Sequence, residues 1–154
     1  MESFMIIPCT DKEDIAHILN HPRVYGWIID IRSPKEYEPI IHESALYLMD
    51  ETKAGVIRID PMNGITCCAH IAALPGMWGK TKEFVKEAIR WGFANTGYMK
   101  ATAFIPIDNK LAIKLARDVG MVQEGILTKS YLRNWKLLDQ IIFGLCKGDI
   151  SWGS

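Results

Sequence analysis

The order of apolar patterns after Ala45 is the feature that most constrains the fold of this chain. Six short apolar runs are typical of strands: residues 45–49, 54–60, 65–74, 99–106, 121–132 and 137–146. Between them, residues 81–95 and 108–119 carry apolar side chains at helical spacing, and Gly120 ends the second of these helices. This order predicts an α/β protein of the α+β type, with one mixed, mostly antiparallel sheet of six or seven strands flanked by helices.

Short polar segments separate the strands. Residues 50–53 and 133–136 have the composition of hairpin turns, and residues 61–64 contain Asn63-Gly64, a pair suited to positive φ. The strand over 65–74 ends at Pro75-Gly76, and a loop then leads into the helix that begins at Thr81.

The first 44 residues are less regular. Thr10 and Glu13 have the spacing of a capping box, which predicts a helix over 11–19 that ends at His21-Pro22. The apolar period of 24–31 is typical of neither helix nor strand, and 33–42 is polar. We expect one domain over 1–154, with a helical part over 1–44 beside a core over 45–146.

Composition excludes several classes of function. Eighteen basic residues balance eighteen acidic ones, so the chain lacks the broad positive field of a nucleic-acid or membrane-surface protein. No apolar run is long enough to span a membrane, and the N-terminus lacks a basic start, so we expect a cytoplasmic protein. The four cysteines and four histidines are scattered, which predicts no metal site and small buried thiols in a reducing compartment.

The region around the second helix resembles a known family. The region begins with Asn-x-x-Ala, continues as a helix and ends with Gly-Met, and it is similar to an element of the GNAT superfamily of acetyl-CoA-dependent N-acetyltransferases. Four residues that follow are also similar to that family: Glu124, Gly125, Tyr131 and Asp139. The similarity is greatest to the branch that acetylates ribosomal proteins and small amines, and it covers about 45–145. It implies direct attack of a primary amine on acetyl-CoA as co-substrate, with the acceptor shaped by the variable first 44 residues.

The resemblance also implies where the cofactor is held. Backbone amides of a splayed strand hold the pantetheine arm, here Ile71, Ala72, Ala73 and Leu74. A loop and helix N-terminus hold the pyrophosphate, here Trp78, Gly79, Lys80, Thr81 and Lys82. Asn109 is expected either to bond the cofactor or to cap its own helix.

This loop departs from the family pattern. Trp78 stands where the family usually has Arg or Gln, Thr81 where it has Gly, and Glu83 where it has Gly or Ala. Glu83 brings negative charge to the loop, and Lys80 and Lys82 offset that charge. In an alternative interpretation, Thr81 is a helix N-cap and Trp78 a packed aromatic.

The catalytic positions depart as well. The family's usual Tyr acid falls at Ala116, and the usual carboxylate of the third strand falls at Cys68. His70, on the same strand face as Cys68, and Tyr131 are the substitute candidates for proton transfer. Alternatively, His70 is a hydrogen-bonded, half-buried imidazole without a catalytic role. Tyr131 is alternatively an aromatic residue of the core or of the cleft wall.

The sequence and the resemblance lead to three hypotheses for the function. The first is an N-acetyltransferase whose acceptor is a small molecule or protein with a primary amine. The second is a catalytically inactive GNAT-like protein that binds a protein partner, in phage head assembly in the host cytoplasm or in another interaction role, since residues 106–109 and 139–140 resemble phage-encoded members. The third, nucleic-acid binding, is disfavoured because its basic and aromatic residues form one short hairpin, typical of a solvated turn: Lys129, Tyr131, Arg133, Trp135 and Lys136.

Overall fold

The computed structural model describes residues 4–28, 36, 38 and 44–151. Its strands are β1 (Ile6–Pro8), β2 (Leu46–Asp50), β3 (Gly55–Pro61), β4 (Thr66–Ala73), β5 (Lys100–Pro106), β6 (Val122–Arg133) and β7 (Lys136–Cys146). Its α-helices are α1 (Lys12–Leu19), α2 (Pro22–Ile28), α3 (Thr81–Asn95) and α4 (Lys110–Asp118). Single 3-10 turns lie at Pro75–Met77 and Lys147–Asp149.

The seven strands form one mixed sheet in the order β1-β2-β3-β4-β5-β7-β6. Neighbouring strands are antiparallel except β4 and β5, which are parallel. A parallel pair needs a crossover connection, and α3 provides it. The predicted α+β fold with a mostly antiparallel sheet is therefore confirmed.

Helices cover both faces of the sheet. Tyr47 and Val56 pack with α1 and α2 in one core, whereas Leu48 and Ile57, the next residues along the same strands, pack with α3 in another. Successive strand residues point to opposite faces, so α1 and α2 lie on one face and α3 on the other. Helix α4 lies beside α3 and covers Ile105 and other residues of β5 and β7.

The β2–β3 hairpin is anchored by a buried carboxylate. Asp50 accepts hydrogen bonds from the amides of Thr52, Ala54 and Gly55 at 3.0, 2.9 and 2.8 Å. Gly55 is required at its position, because a Cβ there would lie 2.8 Å from the Phe84 ring. The turn thereby holds the start of β3 tightly against α3.

The strands and helices predicted after Ala45 all form, with differences at some ends and turns. Asn63 and Gly64 do not adopt positive φ. Instead, the Asn63 side chain accepts hydrogen bonds from the amides of Ile65 and Thr66, both at 2.9 Å. Positive φ occurs at Lys53 in the first hairpin turn.

The N-terminal part also differs in detail. The cap of α1 is Asp11, whose carboxylate accepts from the amides of Glu13 and Asp14, so the expected Thr10 capping box is wrong by one residue. The unassigned segment after Pro22 is helical as far as Ile28. Most of the polar segment 33–42 lies outside the described residues.

Candidate functional site

Strands β4 and β5 separate partway along their length. They pair only where residues 66–68 lie opposite residues 100–102. Strand β4 nevertheless continues to Ala73, paired with β3, and β5 continues to Pro106, paired with β7. Because each strand is held on its outer side, a wedge-shaped gap opens between them beyond Cys68 and Thr102.

The hydrogen-bond pattern of β3 and β4 determines which β4 amides face this gap. The Leu74 amide donates to the Ala54 carbonyl at 2.8 Å, so it points toward β3. Amide directions alternate along an antiparallel ladder, so the Ala72 amide also points to β3, while those of Ile71 and Ala73 point into the gap. Two of the four strand residues predicted to hold a pantetheine arm thus offer amides to the gap.

A short loop leads from the end of β4 into α3. Gly79 has a φ of 89°, a conformation that favours glycine. Lys80 is the N-cap and places no side-chain hydrogen bond on the helix, and Thr81 is the first helical residue, so the alternative of a Thr81 cap is wrong. The Thr81 hydroxyl donates to the Met77 carbonyl at 3.3 Å instead. Among the described residues, the Lys80 side chain therefore does not cap the first-turn amides of α3, which are suited to an anion.

Trp78 lies at the edge of this loop. Its side chain is 50% exposed, and its indole N–H donates to the Ala73 carbonyl at 3.4 Å. The Arg23 guanidinium lies 5.7 Å from the centre of the indole ring. Trp78 therefore covers the end of β4 without being a buried aromatic, which corrects the alternative interpretation of this residue.

The charges near the start of α3 favour an anion on balance. Lys80 and Lys82 are exposed, and Glu83 is the acidic residue of the first turn. The helix dipole adds a partial positive charge at the same end. Lys80, Lys82 and the dipole thus oppose Glu83, while Asp118, the other carboxylate that interacts with the Lys82 charge, is paired with Lys114.

A polar cluster lies on the α1–α2 face beside the gap. Arg58 Nε is 2.9 Å from Asp60 Oδ2, and His70 Nε2 is 3.7 Å from the same oxygen and 3.5 Å from Cys68 Sγ. Cys68 is the last β4 residue paired with β5, and His70 is two residues further. Because these two point to the same face, the imidazole lies where the gap begins to open.

The environment of His70 suits proton acceptance. Partial burial lowers the pKa of His70 below its ordinary value, although the side chain is still 56% exposed; the Asp60 carboxylate opposes this shift and the Arg58 guanidinium adds to it. The imidazole is therefore neutral at pH 7. Because Nε2 faces the carboxylate, the ring proton belongs on Nε2 and Nδ1 keeps the lone pair.

The two adjacent thiols of β4 are unreactive. Burial raises the pKa of both Cys67 and Cys68 to about 11, so almost no thiolate forms at neutral pH. Their burial agrees with the sequence expectation, but Cys146 is exposed and Cys9 is only partly buried, which corrects that expectation for these two residues. Neither β4 cysteine is suited to carry an acyl group.

Arg133 connects Tyr131 to two other parts of the fold. Arg133 is only 8% exposed, its Nη1 lies 2.5 Å from an Asp108 carboxylate oxygen, and its Nη2 donates to the Trp27 carbonyl at 2.8 Å. Its guanidinium carbon lies 5.1 Å from the Tyr131 ring centre and 5.2 Å from that of Trp27. The Arg133 guanidinium thus lies near both the Tyr131 ring of β6 and the Trp27 ring of α2.

The basic and aromatic residues of the hairpin considered for nucleic-acid binding do not share one exposed surface, because Arg133 points inward. Trp135, at the turn, is 83% exposed, whereas Arg133 faces the interior. Sequence reasoning missed the role of Arg133 because Asp108 and Trp27 are 25 and 106 residues away along the chain. Arg58 and Asp60 were also missed, although alternation along β3 places them on one face.

Helix α4 supplies Asn109 and Ala116. The Asn109 side-chain oxygen accepts from the Ala112 amide at 3.2 Å, which confirms its role as N-cap. A cofactor contact by Asn109 stays a prediction. Ala116, at the position of the family's usual Tyr, is 5% exposed and has no proton to give.

A cavity of about 410 Å³ passes through the sheet at the gap. Val85 and Ala88 of α3 line it on one face, and Trp27 and Arg58 line it on the other. The predicted site residues that line it are His70, Ile71, Ala72, Asn109 and Tyr131. The remaining predicted residues lie outside its lining, at the end of β4 and in the loop: Ala73, Leu74, Trp78, Gly79, Lys80, Thr81 and Lys82.

Among the described residues, no three His, Cys, Asp or Glu side chains are grouped as metal ligands. No helix in the described part of the chain is long and apolar enough to cross a bilayer.

Comparison with known proteins gives matches of structure only. No protein-family model matches the chain, and no curated protein matches it significantly in sequence. A mutant of spermidine N-acetyltransferase from Vibrio cholerae superposes with a TM-score of 0.76 at 18% identity, over 96% of this chain and 98% of that one.

Two other structures agree. Spermidine N-acetyltransferase from Vibrio cholerae in complex with CoA and spermine gives a TM-score of 0.77 at 16% identity, over 96% of this chain and 98% of that one. A probable acetyltransferase gives a TM-score of 0.70 at 14% identity, over 97% of this chain and 96% of that one. The chain therefore has the GNAT fold, the fold of these N-acetyltransferases.

Proposed function

We propose that this protein is an acetyl-CoA-dependent N-acetyltransferase that transfers the acetyl group directly to a primary amine. The observation that carries the proposal is the gap between β4 and β5, which opens into a cavity reaching both faces of the sheet. A cofactor on the α3 side and an amine on the α1–α2 side can meet through such an opening. The fold shared with N-acetyltransferases supports the same conclusion.

The proposed cofactor contacts come mainly from backbone. The amides of Ile71 and Ala73 bind the pantetheine arm, and the first-turn amides of α3 bind the pyrophosphate, with Lys80 and Lys82 adding positive charge. Asn109 lies at the side of the cavity where its amide nitrogen can donate to the same arm.

The proposed chemistry uses one proton acceptor and one donor. An alkylamine reaches the site as an ammonium, and His70 Nδ1 accepts its proton so that the nitrogen lone pair can attack the thioester carbonyl. The new C–N bond forms as the C–S bond breaks. The Tyr131 hydroxyl, on the cavity wall formed by β6, supplies a proton to the departing sulfur and regains one from the amine nitrogen through solvent.

Direct transfer is favoured over a covalent route through cysteine. A thiol acceptor must ionise before it can attack a thioester, and the pKa of Cys68, the thiol nearest His70, is raised to about 11. The acceptor amine is therefore the nucleophile.

A catalytically inactive GNAT-like protein, such as one acting in phage head assembly, is the second candidate. Ala116 favours it, because the family's usual proton donor is replaced by a buried methyl group. Thr81 and Glu83 favour it as well, since they replace small residues in the loop. This candidate predicts neither acetyl-CoA binding nor thiol release.

Calorimetry with acetyl-CoA, followed by a thiol-release assay with primary amines, tests the proposal. We expect binding in the micromolar range and CoA release that depends on both protein and amine. Ala103 is the first β5 residue beyond the paired region and lines the cavity. Ala103→Phe should fill the gap and weaken acetyl-CoA binding about tenfold or more.

Ala94→Phe, on an exposed part of α3, is the matched control and should bind as the wild type does. Circular dichroism melting of both variants shows that each remains folded. Absence of acetyl-CoA binding by the folded wild-type protein would reject the enzyme and favour the second candidate.

A further inference from the structure

The cavity wall on the α1–α2 face is mainly apolar. Helix α2 contributes Trp27 and Ile28 to it. Strand β5 contributes Phe104 and Pro106, which flank Ile105 of the α4 core and therefore point to the opposite face. Under the proposed function, this is the wall that contacts the acceptor.

The charges on the lining are few and positive. Among the described residues that line the cavity, none is an Asp or a Glu, and Arg58 is the one side chain that is charged at pH 7. His70 also lines it and is neutral, since its pKa is lowered. The described lining thus offers no anion to a second ammonium group.

Two described carboxylates, those of Asp60 and Asp108, are already paired with arginines whose side chains lie at this wall or contact its aromatic rings. Asp60 Oδ2 lies 2.9 Å from Arg58 Nε, and Asp108 Oδ1 lies 2.5 Å from Arg133 Nη1. A carboxylate held by a guanidinium attracts a further cation much less than a free one does. Neither Asp60 nor Asp108 is therefore a spare counter-ion for the acceptor.

Two aromatic rings of the wall already lie beside a cation. Arg133 approaches the rings of both Trp27 and Tyr131, at 5.2 and 5.1 Å from their centres. A second cation stacked nearby would be repelled by this buried guanidinium. The rings remain suited to apolar contact.

We propose, on the basis of the proposed function, that the acceptor is a monoamine whose remaining part is uncharged and apolar, such as an arylalkylamine, and is not a polyamine. The reactive nitrogen loses its proton to His70, so it needs no fixed anion. A second ammonium group would lose water on this wall without gaining a counter-ion from its described lining.

Steady-state thiol release with two matched pairs of amines tests this proposal. n-Butylamine and 1,4-diaminobutane have the same carbon chain and differ by one terminal amine, and 2-phenylethylamine is compared with spermidine. At saturating acetyl-CoA, we expect kcat/KM to be about tenfold or more higher for the monoamine of each pair.

A charge change on the wall provides an independent measurement. Gln140 lines the cavity, so Gln140→Glu should supply the missing anion and reduce the preference for n-butylamine over 1,4-diaminobutane about tenfold. Gln123→Glu, on the exposed part of β6, is the matched control and should leave the ratio unchanged.

The outcomes separate the two proposals. Equal or greater efficiency with spermidine and 1,4-diaminobutane would overturn the acceptor inference while supporting the transferase. An unchanged ratio in Gln140→Glu, or acetyl-CoA binding without transfer to either monoamine, would also overturn the inference. Failure to bind acetyl-CoA at all would reject the proposed function itself.

Discussion

His70 shows how one residue acquires a chemical role from its neighbours. The alternation of β4 places it on the face of Cys68, a relation that the sequence alone predicts. Asp60 and Arg58 reach it only because β3 pairs with β4 in the observed register, with Arg58 opposite His70. The imidazole is neutral at pH 7 because of this environment.

Replacing His70 by Gln should remove the proton acceptor while keeping a polar side chain. We expect kcat to fall about 100-fold. In the wild type, kcat should rise with pH through the His70 pKa, which lies below the ordinary value of 6.5, and this rise should be absent from the variant. The measurement is kcat from pH 5 to 9 at saturating substrates.

His17→Gln in α1 serves as the control and should preserve the wild-type profile. Protonation of His70 favours the unfolded chain, because its pKa is lower in the fold, so the wild type should lose stability as the pH falls below 6.5. Melting temperatures of His70→Gln should depend less on pH in this range. A variant with wild-type kcat would remove His70 from the mechanism.

At the scale of elements, Arg133 joins parts of the chain that are distant in sequence. It links the end of β6, the segment before α4 and the end of α2 through Asp108 and Trp27. Local patterns predicted these elements separately, but they carry no information on which side chains meet between them. The hairpin therefore appeared in the sequence as a solvated basic turn, although Arg133 is buried.

Arg133→Ala should destabilise the fold by about 3 kcal/mol, because it leaves the Asp108 carboxylate and the Trp27 carbonyl without this partner. Urea unfolding measures the effect. Lys136→Ala, at an exposed position of the same hairpin, should change stability by less than about 0.5 kcal/mol. Equal stability of the two variants would show that the Arg133 contacts contribute nothing.

For the whole molecule, local and non-local features differ in how far the sequence predicts them. The strands and helices after Ala45 follow from apolar periods and turn residues, which are local. The gap is non-local, since it depends on β3 and β7 holding β4 and β5 apart along their outer edges. The resemblance implied a splayed strand, and the sheet pairing shows where the separation begins, after Cys68 and Thr102.

The central claim is that this gap holds the pantetheine arm and pyrophosphate of acetyl-CoA. The most direct test is an amide chemical-shift map of the isotope-labelled protein during titration with CoA. We predict that the largest changes occur at Ile71, Ala73 and the first turn of α3, with little change at the exposed residues 122–124 of β6. Saturating CoA that leaves the former amides unshifted, or shifts mainly residues 122–124, would contradict the claim.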